Sequence, residues 1–122
     1  MGTRVPSYNK YKVSSKEKRT YDGIVFDSMA EKDRYIHLKN REKSGNISEL
    51  KLQTPFTILQ NFTNNRGKKI RGIKYYADFT YKDKDGVMIA EDVKGALTSD
   101  YIMKSKYFQF LYPDYLFEEV KI

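Results

Sequence analysis

Asp92 and Lys94 stand two residues apart in "MIAEDVKG", residues 88–95. In a strand, side chains alternate, so this acid and this lysine share one face while Glu91 points to the other. Asp78 is the only charge in the centre of a second strand-like run, "IKYYADFTY", residues 73–81. Two carboxylates placed opposite each other in a sheet repel. A divalent cation between them removes that penalty. The chain has no Cys and one His, so hard oxygen ligands are what it offers, and these suit Mg2+ or Mn2+. A lysine beside such an ion can orient or help deprotonate a water, which is the equipment for metal-assisted phosphodiester hydrolysis. An isolated D-x-K is a short pattern, and on its own the ion pair at a strand end is the better reading. Asp78 on the same face brings the chemical reading level with it.

That face depends on a turn. "KDKDG", residues 82–86, joins the two strands. A three-residue loop Lys84-Asp85-Gly86, with Gly in the left-handed region, pairs Asp83 with Val87 and sets Asp78 across from Asp92. A two-residue Asp85-Gly86 loop puts Asp92 on the face of Phe79 instead. The first is preferred because it keeps the apolar faces together. Simple alternation along the first strand places Ile73, Tyr75, Ala77, Phe79 and Tyr81 on one face and Tyr76, Asp78 and Thr80 on the other.

The remaining elements frame this pair. "SMAE", residues 28–31, fits a capping box, and the helix it opens should run to about Lys43 and stop at Gly45. Glu31 is the capping partner of Ser28, and its neighbours Tyr35 and Leu38 turn its face inward, so it is also a candidate third acid. "ISELKLQTPFTILQNF" reads as extended and broken near Pro55. Residues 61–72 read as a basic Asn- and Gly-rich loop. "SDYIMKSKYFQFLY" reads as a helix capped at Ser99 or Asp100, with Tyr101, Lys104, Phe108 and Leu111 in one stripe, ended by Pro113; "YLFEEV" is a last strand. The order is helix, strand, strand, strand, helix, strand: an α/β class with a mixed central sheet flanked by helices. Residues 1–20 read as a flexible basic arm and 21–122 as one domain.

The combination of "YDGIVFDSMAEKDRY", "YYADFTY", "AEDVKG" and "YIMKSKYFQFLYP" resembles an uncharacterised phage and prophage family of the PD-(D/E)XK, or restriction-endonuclease-like, superfamily. Holliday-junction resolvases and transposon end-cleaving nucleases look like its nearest branches. The resemblance implies an αβββαβ core and a Mg2+-dependent DNA endonuclease, phage-encoded and selective for branched or junction DNA, acting in the host cytoplasm and often as a homodimer. It implies Asp78, Asp92 and the carbonyl of Val93 as metal ligands, Lys94 as catalytic lysine, Glu31 as the helix acid, and Lys104 as a supporting or phosphate-contacting residue. Two departures stand out: Ala77 replaces the Pro of the family name, and Asp replaces the commoner Glu at 92. Glu91 precedes Asp92, so a β-bulge would exchange the two as ligands.

Charge points the same way. The net charge is +7, concentrated in the arm, with Lys10 and Lys12, and in the segment 61–74, with Lys68, Lys69 and Arg71. Basic clusters interleaved with Tyr suit a nucleic acid; Tyr75 and Tyr76 are candidates to stack on bases, although core packing is the default for most of the tyrosines. The chain carries no apolar run long enough to span a bilayer. A catalytically inactive nucleic-acid-binding module with the same fold is the competing expectation. Charge does not separate the two; the clustered acids, which repel phosphate, favour the enzyme.

Overall fold

The computed structural model describes residues 14–94 and 97–121. The expected contacts of Lys10 and Lys12 lie outside these residues. The chain divides into two compact units, residues 1–37 and 38–122, and one helix contributes to both.

In the first unit, residues 16–19 form a turn whose Arg19 guanidinium donates to the carbonyls of Ser14 and Phe26, each at 2.7 Å. The end of the expected arm is thus a folded turn. Two short strands follow, β1 (Thr20–Tyr21) and β2 (Ile24–Val25), paired antiparallel. Asp22 and Gly23 join them with φ of 53° and 74°, the double positive φ that a tight hairpin of this type requires. Helix α1 (Met29–Lys43) starts as expected: Ser28 Oγ accepts from the Glu31 amide at 3.1 Å. Glu31 and Tyr35 are both buried on its inner side, and the single histidine, His37, is exposed.

The second unit takes the last turn and a half of α1, which ends at Gly45 (φ 84°), where the amide of Asn46 reaches back to the Arg41 carbonyl at 2.9 Å. A four-stranded mixed sheet follows in the order β3-β6-β7-β8, formed by β3 (Ile47–Leu59), β6 (Ile73–Asp83), β7 (Met88–Lys94) and β8 (Tyr115–Lys121). The first three are antiparallel and β7 pairs with β8 in parallel. A parallel neighbour demands a crossover, and helix α2 (Ser99–Leu111) supplies it. Its N-cap is Thr98, whose Oγ1 accepts from the Tyr101 amide at 3.1 Å, rather than Ser99 or Asp100. Phe108 and Ser105 are its buried residues. Leu111, expected in the same stripe, is exposed, because the helix turns it away from Phe56 and Tyr75.

Strand β3 is not broken at Pro55, which pairs with Tyr76 inside the ladder. As an edge strand, β3 tolerates a residue without an N–H, since that side bonds to nothing in the sheet. Its irregularities lie elsewhere. The register slips between Ser48 and Lys51 around Glu49 (φ 57°), and Gln53 also holds a positive φ, 49°. The segment 61–72 is more ordered than a loop. Strands β4 (Phe62–Thr63) and β5 (Lys69–Ile70) form a hairpin, and Asn64 Oδ1 accepts from the amides of Arg66 and Lys68 across its tip.

The three-residue turn at 84–86 forms as expected. The Asp83 amide donates to the Val87 carbonyl at 2.9 Å, and Gly86 takes φ 85°. The ladder from Lys82↔Met88 to Phe79↔Glu91 therefore leads one step on to Asp78 opposite Asp92.

Candidate active site

Where the β6–β7 ladder ends at Phe79↔Glu91, side chains take over from backbone. The Asp78 amide donates to Asp92 Oδ1 at 3.2 Å, and the Val93 amide donates to Asp78 Oδ2 at 2.9 Å. Each carboxylate is thus clamped to the other's strand. Gln53 Nε2, from β3, donates to Asp78 Oδ1 at 3.1 Å. Its positive φ is the kind of backbone strain, about 1–3 kcal/mol, that persists where surrounding structure enforces it.

Simple alternation fails inside β6, and this failure builds the site. Tyr75 and Ala77 belong to a core cluster with Phe56, Ala90 and Phe108. This is the face on which Asp92 follows Ala90. Four residues beyond Ala77, Tyr81 lies instead near the guanidinium of Arg41 and donates to buried Glu91. The strand has changed face between Ala77 and Tyr81. β3 records the same change: Thr54 pairs with Ala77, yet its hydroxyl is 2.7 Å from that of Thr80. As a result Tyr75, expected on the side away from the acids, donates its hydroxyl to Asp92 Oδ2.

Asp92 is 1 % exposed. Burial pushes its carboxyl up to about 6, against the lowering pull of Lys94 and of the Asp78 amide; nearby Glu119 raises it further. Glu119 is its parallel register partner on β8. Lys94 sits with its ammonium 4.6 Å from the centre of the Tyr101 ring, a cation–π contact that holds a flexible side chain in place. The Tyr101 hydroxyl in turn donates to Glu119 Oε2 at 2.8 Å. Burial and that bond, with the charges of Asp92, Glu119 and Asp78, push the phenol well above its ordinary range.

The structure thus brings together Asp78, Asp92 and Lys94 of the residues singled out from sequence, and adds Gln53, Tyr75, Tyr101 and Glu119. Glu91 faces away, as alternation predicts, with no bulge exchanging it for Asp92. Glu31 belongs to the first unit. Lys104 forms an ion pair with Asp100 at 3.3 Å on the same helix. The hairpin cations Arg66, Lys68, Lys69 and Arg71 are exposed and make no ion pair among the described residues.

A family model described as "Protein of unknown function (DUF1064)" matches residues 8–121. The chain belongs to the DUF1064 family. No curated protein and no solved structure matches it significantly. The whole sheet of this DUF1064 chain, with both carboxylates and Lys94, falls inside the matched span.

Among the described residues no three His, Asp or Glu side chains are grouped to hold a metal ion. Two acids and the Val93 carbonyl remain as candidate donors. Each carboxylate oxygen already accepts one hydrogen bond and keeps a further lone pair. A set of few protein oxygens fits Mg2+, which retains several waters, better than it fits an ion needing a full protein cage. Burial is the chief cause of the raised Asp92 carboxyl, and a cation held beside it would favour the ionised form.

Proposed function

We propose that this chain is a Mg2+- or Mn2+-dependent endonuclease that hydrolyses DNA phosphodiester bonds. The observation that carries this is the mutual clamping of Asp78 and Asp92 at the opened end of the β6–β7 ladder with Lys94 alongside. Support comes also from the element order α1, β3, β6, β7, α2, β8, which is that of the restriction-endonuclease-like core. The hairpin cations, which make no ion pair among the described residues, are what a phosphate backbone binds.

Asp78 and Asp92 would hold the cation, which when bound supplies charge to the phosphate oxygens and acidity to a coordinated water. Gln53 and the Val93 amide fix the orientation of Asp78; Tyr75 and the Asp78 amide fix Asp92. Lys94, seated on Tyr101, places a positive charge beside the reacting phosphate, where negative charge grows in the transition state. Tyr101 and Glu119 position Lys94 without touching substrate.

The test is cleavage of labelled duplex, single-stranded, flap and four-way-junction DNA with Mg2+ and with EDTA. Wild-type protein should cut at least one substrate with Mg2+ only, and Asp78→Asn and Lys94→Ala should each lower the rate at least 100-fold. Binding of DNA without cleavage of any substrate would make the chain a binding module. Undiminished cleavage by Asp78→Asn would move the site elsewhere.

A further inference from the structure

At the base of the β4–β5 hairpin lies an open cleft of about 630 Å³, a size within the range of roughly 300–1,000 Å³ typical of small-ligand sites. Gln60, Asn61, Arg71, Lys74, Ile73 and Tyr76 line it. Three features distinguish it from an ordinary surface dent. Arg71 and Lys74 make no ion pair among the described residues, so two cations face the cleft uncompensated. Tyr76 is 53 % exposed, with no ring or hydrogen-bond partner among the described residues. The floor is closely packed: the Gly72 amide donates to Asn61 Oδ1 at 2.7 Å, and a Cβ at Gly72 would lie 2.1 Å from the Leu59 carbonyl oxygen.

An exposed aromatic ring in one cleft with two cations matches a nucleotide, with the base on the ring and the phosphate on the guanidinium or ammonium. The base must be unpaired, because a base inside a duplex is already stacked on both faces and offers none to a protein ring.

We infer that this cleft binds an unpaired nucleotide of the DNA substrate, stacked on Tyr76 with its phosphate at Arg71 and Lys74. This rests on the nuclease reading for its substrate and names the substrate's class: DNA with a single-stranded segment, as in a flap, fork or open junction.

The experiment measures binding in Mg2+-free buffer, in an Asp78→Asn background, so that affinity is read without turnover. The probes are a blunt duplex and the same duplex with a single-stranded tail carrying 2-aminopurine. Tyr76→Ala should weaken binding of the tailed DNA about 10-fold or more and leave the blunt duplex within about two-fold. Tyr76→Phe, which keeps the ring, should retain both affinities. Fluorescence of the 2-aminopurine should be quenched on binding with Tyr76 or Phe present and not with Ala. Equal losses on both DNAs, loss with Phe as large as with Ala, or quenching that persists in Tyr76→Ala would overturn the inference. Its failure is separable from that of the nuclease reading, which depends on Mg2+-dependent cleavage by the wild-type chain.

Discussion

Asp92 carries opposite demands for stability and for chemistry. Its carboxyl is raised from 3.8 to about 6 chiefly by burial, which corresponds to about 3 kcal/mol against the ionised form in the folded protein. Because the folded value exceeds the unfolded one, the native state binds the extra proton. The stability this proton contributes is full below about pH 4 and is lost as pH rises through 6. Without divalent cation, Asp92→Asn should therefore melt higher than wild type at pH 8, and the gap should close towards pH 4, as read by thermal unfolding in EDTA. Mg2+ should raise the wild-type midpoint at pH 8 and leave that of Asp92→Asn unmoved. A wild type more stable than the variant at pH 8 in EDTA would refute the buried-anion account. At this scale the types and spacing of Asp78, Asp92 and Lys94 were legible in the sequence, because alternation within one strand and one turn rule sufficed to join them. Gln53, Tyr75, Tyr101 and Glu119 were not. Glu119 reaches Asp92 through a parallel register set by a helical crossover, and Tyr75 reaches it only because β6 changes face, which no local pattern announces.

Strands and turns fared differently according to how locally they are determined. The turn at Lys84-Asp85-Gly86 fixed the β6–β7 register because its chemistry is contained in a few residues: Asp83 Oδ1 accepts from the amides of Asp85 and Val87, each at 2.9 Å, and Gly86 supplies the positive φ. Pro55 misled because a proline's cost depends on whether its strand lies at a sheet edge, a tertiary fact. The hairpin of residues 61–72 was hidden because Asn and Gly signal turns, and its two-residue strands are too short to show a period. Once the hairpin is seen, Gly72 becomes its critical residue. A methyl there would meet the Leu59 carbonyl oxygen at 2.1 Å and the backbone of Gln60 and Asn61 below 3.0 Å, and backbone cannot yield as a side-chain tip does. Gly72→Ala should lower unfolding stability by about 1–3 kcal/mol, seen as a shifted denaturant midpoint with an unchanged slope. Because the site acids are held by β6, β7 and Gln53, the same variant should keep Mg2+-dependent cleavage while losing affinity for DNA. A variant as stable as wild type would show that the hairpin base is looser than its contacts indicate.

Over the whole molecule the decisive property is where the charge of +7 sits relative to its partners. Lys39, Lys82 and Lys104 are each matched by a carboxylate within 3.3 Å. Arg66, Lys68, Lys69 and Arg71 crowd one hairpin without such partners among the described residues. Exposed ion pairs contribute little to folding, so the paired lysines are solvated surface, whereas a row of uncompensated cations repels itself and is relieved by a polyanion. Net charge alone did not divide the lysines in this way; the i, i+4 spacing of Asp100 and Lys104 does so once it is read on a helix. Binding through such a row is driven by release of counterions from DNA, so the logarithm of the binding constant falls with the logarithm of salt concentration in proportion to the phosphates neutralised. If Lys68, Lys69 and Arg71 each meet one phosphate, replacing all three by Ala should reduce the slope for duplex DNA by about 2.7, at about 0.9 per contact. Lys104→Ala should leave the slope within about 0.3. The triple variant should still cut at an undiminished rate when DNA is saturating, because Asp78, Asp92 and Lys94 are untouched. Titrations by fluorescence anisotropy across a salt series measure the slope directly. An unchanged slope in the triple variant would show that DNA reaches the carboxylate pair by a surface other than this hairpin.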